Sequence, residues 1–189
     1  MLRRRSRSRR ALLKECEKLL VGLPLPERFS VEALVRNMEG VLGRRIQLVP
    51  LGDHGAGLGT ACGLRVKGPN VTFVLYRQRA SRNQTEHIIL HELAHEWLDH
   101  GTTLSQAEIQ RLVPEHIRQG LLRNFPTAPV QGRVNYDSPE EQQAELSASL
   151  IKRTVKQSAR QQLDVGDDMV SLLESSLSHP VAPPRRGKT

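Results

Sequence analysis

One segment limits the possible folds of this chain more than any other. Between Ser81 and Gly101 it runs through Glu86-His87-Ile88-Ile89-Leu90-His91-Glu92-Leu93-Ala94-His95-Glu96-Trp97-Leu98. At helical spacing His87, His91, Ala94, His95 and Leu98 share one face, while Ile89, Leu90, Leu93 and Trp97 cover the others. A helix that is apolar nearly all round is buried. The fold must therefore be built around this helix and must find partners for two histidines and a glutamate removed from water. Hydrogen bonds inside the core are one solution and a metal ion is the other. His91 and His95 stand one turn apart, so their rings can converge on a single ion. Glu92 points about 100° away from His91, beside such an ion but not bound to it. From there it can take a proton from water, which is the logic of the H-E-x-x-H motif of zinc peptidases.

The motif leaves the third metal ligand open. His87 lies eight residues, or roughly 12 Å, along the helix axis from His95, too far to share its ion. His100 projects from the side opposite His91. The longer pattern H-E-x-x-H-x-x-G-x-x-H fails, because Leu98 stands for its glycine and Gly101 for its last histidine. An acid on a later helix remains. Ser138-Pro139-Glu140-Glu141 opens such a helix, with Ser138 as N-cap, Pro139 at the first helical position and Glu141 at the capping-box position. Along it Ala144, Ala148, Ile151 and Val155 form a small, apolar stripe suited to close helix packing. Glu141 lies about 50° from the centre of this stripe and Glu145 about 90°. Glu141 is thus the better aimed of the two, with Glu145 as the alternative.

Charge locates any contact with nucleic acid at the chain ends. The net charge is +8, yet nine of the 28 basic residues fall in the first and last ten positions, which hold no acid. The body carries 19 bases against 20 acids. Residues 1–10 read as a basic, disordered arm, residues 11–178 as one domain, and residues 179–189 as a Pro/Arg-rich tail. The arms could touch phosphates; the body is not built to. Ser8-Arg9-Arg10 starts like a twin-arginine signal, but Glu15, Glu17 and Lys18 interrupt the apolar run at once. No stretch reaches the length of a membrane span, so the cytoplasm is expected. Cys16 and Cys62 read as two free thiols.

Around the motif, periodicity predicts helices over 11–21 and from 31 to a stop at Gly40, then strands over 45–51, 62–67 and 71–77. The last two strands are joined by a turn at Gly68-Pro69-Asn70. The glycine-rich run 52–63 does not match a phosphate-binding fingerprint, since Cys62 stands where a glycine is needed. Short helices are expected over 105–112 and 114–123, a long one from 138 to about 159, and a last one over 164–177.

Taken together, His91-Glu92-Leu93-Ala94-His95 and Glu141-x-x-Ala144-x-x-x-Ala148-x-x-Ile151 resemble the two motifs of the ImmA/IrrE family of zinc metallopeptidases. The likeness covers roughly residues 30–155. Ser147 stands where that family has a large apolar residue, Lys152 where it has a second leucine, and Thr154 at its helix-closing proline. The resemblance implies an α+β, zincin-like fold, with a small, mostly antiparallel sheet packed on the motif helix. It also implies Zn2+ held by His91, His95 and Glu141, with Glu92 as the general base. The expected substrate is a protein, typically a helix-turn-helix regulator or, in toxin–antitoxin pairs, an antitoxin. Tyr136 and His116 are candidates for stabilising the oxyanion. The rival expectation is a binding module whose zinc is structural or vestigial.

Overall fold

The computed structural model describes residues 9–51, 63–103, 105–113, 115–124, 131–132 and 139–178. The chain is α+β and divides into two compact units, residues 1–152 and 153–189. In the first unit α1 (Arg9–Leu19) and α2 (Val31–Leu42) precede β1 (Arg45–Leu51), β2 (Gly63–Lys67) and β3 (Val71–Arg77). The motif helix α3 (Arg82–Trp97) follows, then β4 (Thr102–Thr103), α4 (Gln106–Leu112), α5 (Glu115–Asn124), β5 (Gln131–Gly132) and the start of α6 (Pro139–Ser178). The described part of the second unit is the remainder of α6.

Local signals explain most of the boundaries. The Ser30 hydroxyl accepts from the Ala33 amide at 3.1 Å and caps α2. That helix runs through Gly40, where a stop was expected, and ends at Gly43 with φ 64°. A β-carbon at Gly40 would meet nothing within 4 Å, so the residue sits harmlessly in the helix at a cost of about 1 kcal/mol. Gly43 takes the left-handed turn that terminates it. α1 begins at Arg9, so Arg9 and Arg10 belong to a helix and not to the basic arm. The two C-terminal helices expected over 138–159 and 164–177 are one continuous helix. No proline falls between Pro139 and Pro180, and Gly166 alone is too weak a breaker to divide it.

The strands pair in the order β1-β3-β2-β5-β4. The sheet is mixed: the β2–β3, β2–β5 and β4–β5 pairs are antiparallel, in line with the mostly antiparallel sheet expected, and β1–β3 is parallel. β3 pairs antiparallel with β2 through the Gly68–Asn70 turn, but its longer ladder, Arg45↔Val71 to Leu51↔Arg77, is parallel to β1. Register sorts the side chains onto two faces. Val49, Leu51, Leu64, Val66, Phe73 and Leu75 meet Ile109, Val113 and Ile117 of the α4–α5 region. Thr72, Val74, Arg65 and Gly63 lie on the other face, the one against α3. A separate cluster joins α1 to α6 through Leu12, Cys16 and Leu150. Ser147 is fully buried there beside Cys16, so α1 occupies the space a larger residue would fill. Cys16 is a free thiol whose pKa burial raises; Cys62 lies outside the described residues.

α3 is fastened to the sheet by one carboxylate. Glu96, 2% exposed, accepts from Arg65 Nη1 at 2.7 Å and from Thr72 Oγ1 at 2.8 Å. Arg65 is itself 2% exposed. Deleting one member of such a pair strands the other charge in the core. Glu96→Ala is expected to cost about 3–5 kcal/mol of unfolding free energy, read by denaturant titration. A loss below about 1 kcal/mol would show that α3 is held by its apolar contacts instead.

Candidate metal centre

Burial of α3 brings its polar residues to definite partners. His91 Nε2 and His95 Nε2 lie 3.1 Å apart. Across from them on α6, Glu141 Oε2 is 3.2 Å from His91 Nε2, and Oε1 is 3.1 Å from His95 Nε2. Three donor atoms on a tetrahedral ion with bonds of 2.0–2.1 Å would stand about 3.3 Å apart. The group therefore has the donor types and nearly the spacing of one face of a tetrahedral site, and it could hold a metal ion. Two neutral imidazoles with their Nε2 atoms aimed at one point also need a cation or a proton between them. The helix start supplies the carboxylate as the alanine stripe requires: Ala144 and Ala148 are both 0% exposed.

Each histidine is also held from behind. His95 Nδ1 lies 2.9 Å from His100 Nδ1, and both rings are buried. With a metal on Nε2, the ring proton of His95 sits on Nδ1 and is donated to His100, which orients the ligand. His91 Nδ1 lies 3.5 Å from Glu145 Oε2, and that carboxylate contacts His87 Nε2 at 3.0 and 3.1 Å. Glu145 thus stands behind His91 and not beside the shared donor point. His87 is outside the group, in line with its distance along the helix.

His100 does not project away from the motif. Helix α3 ends at Trp97, and Asp99 takes a left-handed conformation with φ 52°. The Asp99 amide then donates to Glu96 O at 3.3 Å and the His100 amide to His95 O at 3.0 Å. This is a Schellman closure with aspartate in place of the usual glycine, and it folds the His100 ring back onto His95. Extending the helical wheel past position 97 misplaces it. Asp99 is secured by an ion pair with Lys67, which also lowers its pKa.

Glu92 is 7% exposed. Its carboxylate lies against Gly63 on β2, where a β-carbon would come within 2.6 Å of Oε1 and 2.8 Å of Cγ. Only glycine leaves room for Glu92 in this position, a role that the glycine-rich run did not reveal in sequence. A cavity of about 650 Å³ borders the group, lined by Arg9, Leu12, His91, Glu141, Gln142, Glu145 and Leu146. The side chains of His116 and Tyr136 lie outside the described residues. Among the described residues, no helix is long and apolar enough to cross a membrane.

No family model, curated protein or solved structure matches this chain. The centre is therefore read from its own geometry.

Burial by itself lowers the His91 pKa. The hydrogen bond to Glu141 and the charges of Glu92, Glu141 and Glu145 outweigh it, so the net shift is upward. The His91 proton and a metal compete for one nitrogen. The proton-bound pair stabilises the metal-free fold below the free-imidazole pKa of about 6.5, and that contribution is lost as pH rises through the higher folded value. Metal affinity is thus expected to fall on acidification already from above pH 6.5, and the gain in Tm on adding metal should shrink as pH is lowered. A gain independent of pH between 8 and 6 would exclude His91 as a ligand. In chelator competition at fixed pH, Glu141→Gln should weaken metal binding by about tenfold or more, and Glu145→Gln by less. The reverse order would move the ligand one turn along α6.

Proposed function

We propose that this protein is a zinc-dependent endopeptidase of the ImmA/IrrE kind, acting on a protein substrate. The observation that carries the reading is the meeting of three donors, two imidazole and one carboxylate, at the edge of a 650 Å³ cavity with a buried glutamate on the same helix. Two nitrogens and one oxygen at tetrahedral spacing suit zinc. Three protein ligands leave a position for water or substrate, whereas a structural site is closed by a fourth. Among the described residues the group has three members. The buried Glu92 beside the three donors and the cavity at their edge favour a catalytic centre over a structural or vestigial zinc in a binding module.

Bound zinc would supply Lewis acidity, making a water more acidic and polarising a peptide carbonyl. The chain's own residues supply the rest. Glu92 takes the proton of the attacking water on its carboxylate and returns it to the leaving amine nitrogen. Its burial against Gly63 restricts the carboxylate to one position. His100 and Glu145 set the rings of His95 and His91. Among the described residues, β2 pairs with β5 at Lys67↔Gln131. An extended substrate added along residues 63–66 would pass Glu92.

Resemblance of the two motifs to the family favours a helix-turn-helix regulator, or an antitoxin, as the substrate. The arginine arms could bring the protein to DNA on which such a regulator sits. The test is to incubate zinc-loaded protein with purified regulators of this class and look for a single cut. Glu92→Gln should keep about one zinc per chain and lose cleavage by at least about a hundredfold. Gly63→Ala should likewise retain zinc while lowering the rate, because the added methyl displaces Glu92 from its place. Cleavage at the wild-type rate by Glu92→Gln would refute the peptidase mechanism, and absence of bound zinc from the wild type would refute the centre.

A further inference from the structure

A second cavity, of about 610 Å³, is lined by Arg79, Asn83, Gln84, His87, Ile88 and Lys152. It differs in charge from the cavity at the metal centre, whose lining includes Glu141 and Glu145. Among the described residues, the lining of this second one holds no carboxylate. The Lys152 ammonium donates to the main-chain carbonyl of Asn83 at 2.8 Å and to its side-chain oxygen. Both acceptors are neutral, and Lys152 makes no ion pair among the described residues. Its charge is held across the first turn of α3 without being neutralised. With Oδ1 engaged by Lys152, the Asn83 side chain has its amide donors left to offer.

Neighbouring features raise the potential in the same direction. The Arg79 amide donates to Thr85 Oγ1 at 2.9 Å, tying the segment that carries Arg79 to the start of α3. Ser81, at the N-cap of α3, makes no side-chain capping bond. The positive end of the 16-residue helix thus adds to the two cationic side chains. Glu145, which contacts His87 of the cavity lining, is shared with His91.

We propose that this cavity is a binding site for a phosphate-type oxyanion. Lys152 supplies the fixed charge, Arg79 in the lining adds to it, and the side-chain amides of Asn83 and Gln84 supply hydrogen bonds. A cation fixed by neutral acceptors is preorganised for an anion, because little side-chain entropy is lost on binding. Lys152 also stands where the resembled family has leucine, so the site belongs to this chain and not to the shared motif. His87 connects the cavity to the metal centre through Glu145, but the anion site does not depend on a metal being bound.

The experiment is a titration of zinc-loaded protein with inorganic phosphate at constant ionic strength, followed by the 1H–15N signals of Asn83 and Gln84. Saturable shifts are expected, with affinity in the millimolar range usual for a small anion at a partly exposed site. Arg79→Gln and Lys152→Gln should each weaken binding by about tenfold, and the double variant should abolish it, with zinc content unchanged. If Lys152→Gln lowers Tm sharply by breaking the Asn83 contact, Arg79→Gln alone decides. No saturable shift up to tens of millimolar, or a shift that survives the double variant, would overturn the proposal. Shifts that vanish on zinc removal and persist in the double variant would place the phosphate on the metal, which also overturns it. An equal response to acetate would reassign the cavity to carboxylates and overturn the phosphate preference.

Discussion

A buried carboxylate bound by a buried guanidinium carries more of this architecture than any apolar contact. Glu96 is gripped by Arg65 of β2 and Thr72 of β3, both on the sheet face that meets α3. Such a pair tolerates little displacement, because a buried charge is costly once its close partner moves away; Arg44, 3.9 Å from Glu96 on the other carboxylate oxygen, is a weaker second partner. It therefore sets how far along the sheet α3 lies and how it is rotated. Four residues earlier, the same rotation lays Glu92 against β2, and the strand accepts it only because Gly63 has no side chain. The remaining sector of the helix, with His91 and His95, is then turned away from the sheet and toward α6.

The second requirement is that α6 come close. Ala144, Ser147 and Ala148 are fully buried, and their small side chains allow α6 to approach α3 on one side and α1 on the other. Glu141 enters the histidine pair from the first turn of that helix. Lys152, three turns on, reaches back to Asn83 at the opposite end of α3. The two helices are thus joined by polar contacts at both ends of the stretch where they face each other, one end acidic toward the histidines and the other basic toward a cavity. The separation of sign follows from which end of α3 each contact meets.

Histidine placement shows how neighbours set the chemistry of a centre. His95 and His91 have the same side chain and face the same point, yet one is backed by His100 and the other by Glu145. A neutral imidazole and a carboxylate differ in how strongly they pull on a ring proton. His91, next to three acids, holds its proton more tightly than a free imidazole does. The same acids that favour a cation at this point also favour a proton in its absence, so any metal loading would be coupled to pH.

Much of this was legible in the sequence alone. The apolar coverage of α3 announced its burial, and the spacing of His91, Glu92 and His95 announced which of them could meet. The alanine stripe favoured Glu141 over Glu145, and alternation located all three longer strands. These are properties of one element read at its own period, and period alone determines which residues share a face. The remainder depended on contacts between elements. The Gly63 backbone accepts Glu92, Arg65 completes Glu96, and β1 runs parallel to β3; no local pattern encodes any of these pairings. His100 was misplaced because a helical wheel ends where the helix does, and Asp99 turns the chain back through a left-handed conformation that few residues other than glycine, asparagine and aspartate adopt. The sequence by itself determined that a helix bearing two histidines and a glutamate had to be buried. The tertiary structure decided what each of them touches, because a buried polar group acquires its partner from whichever element packs against it.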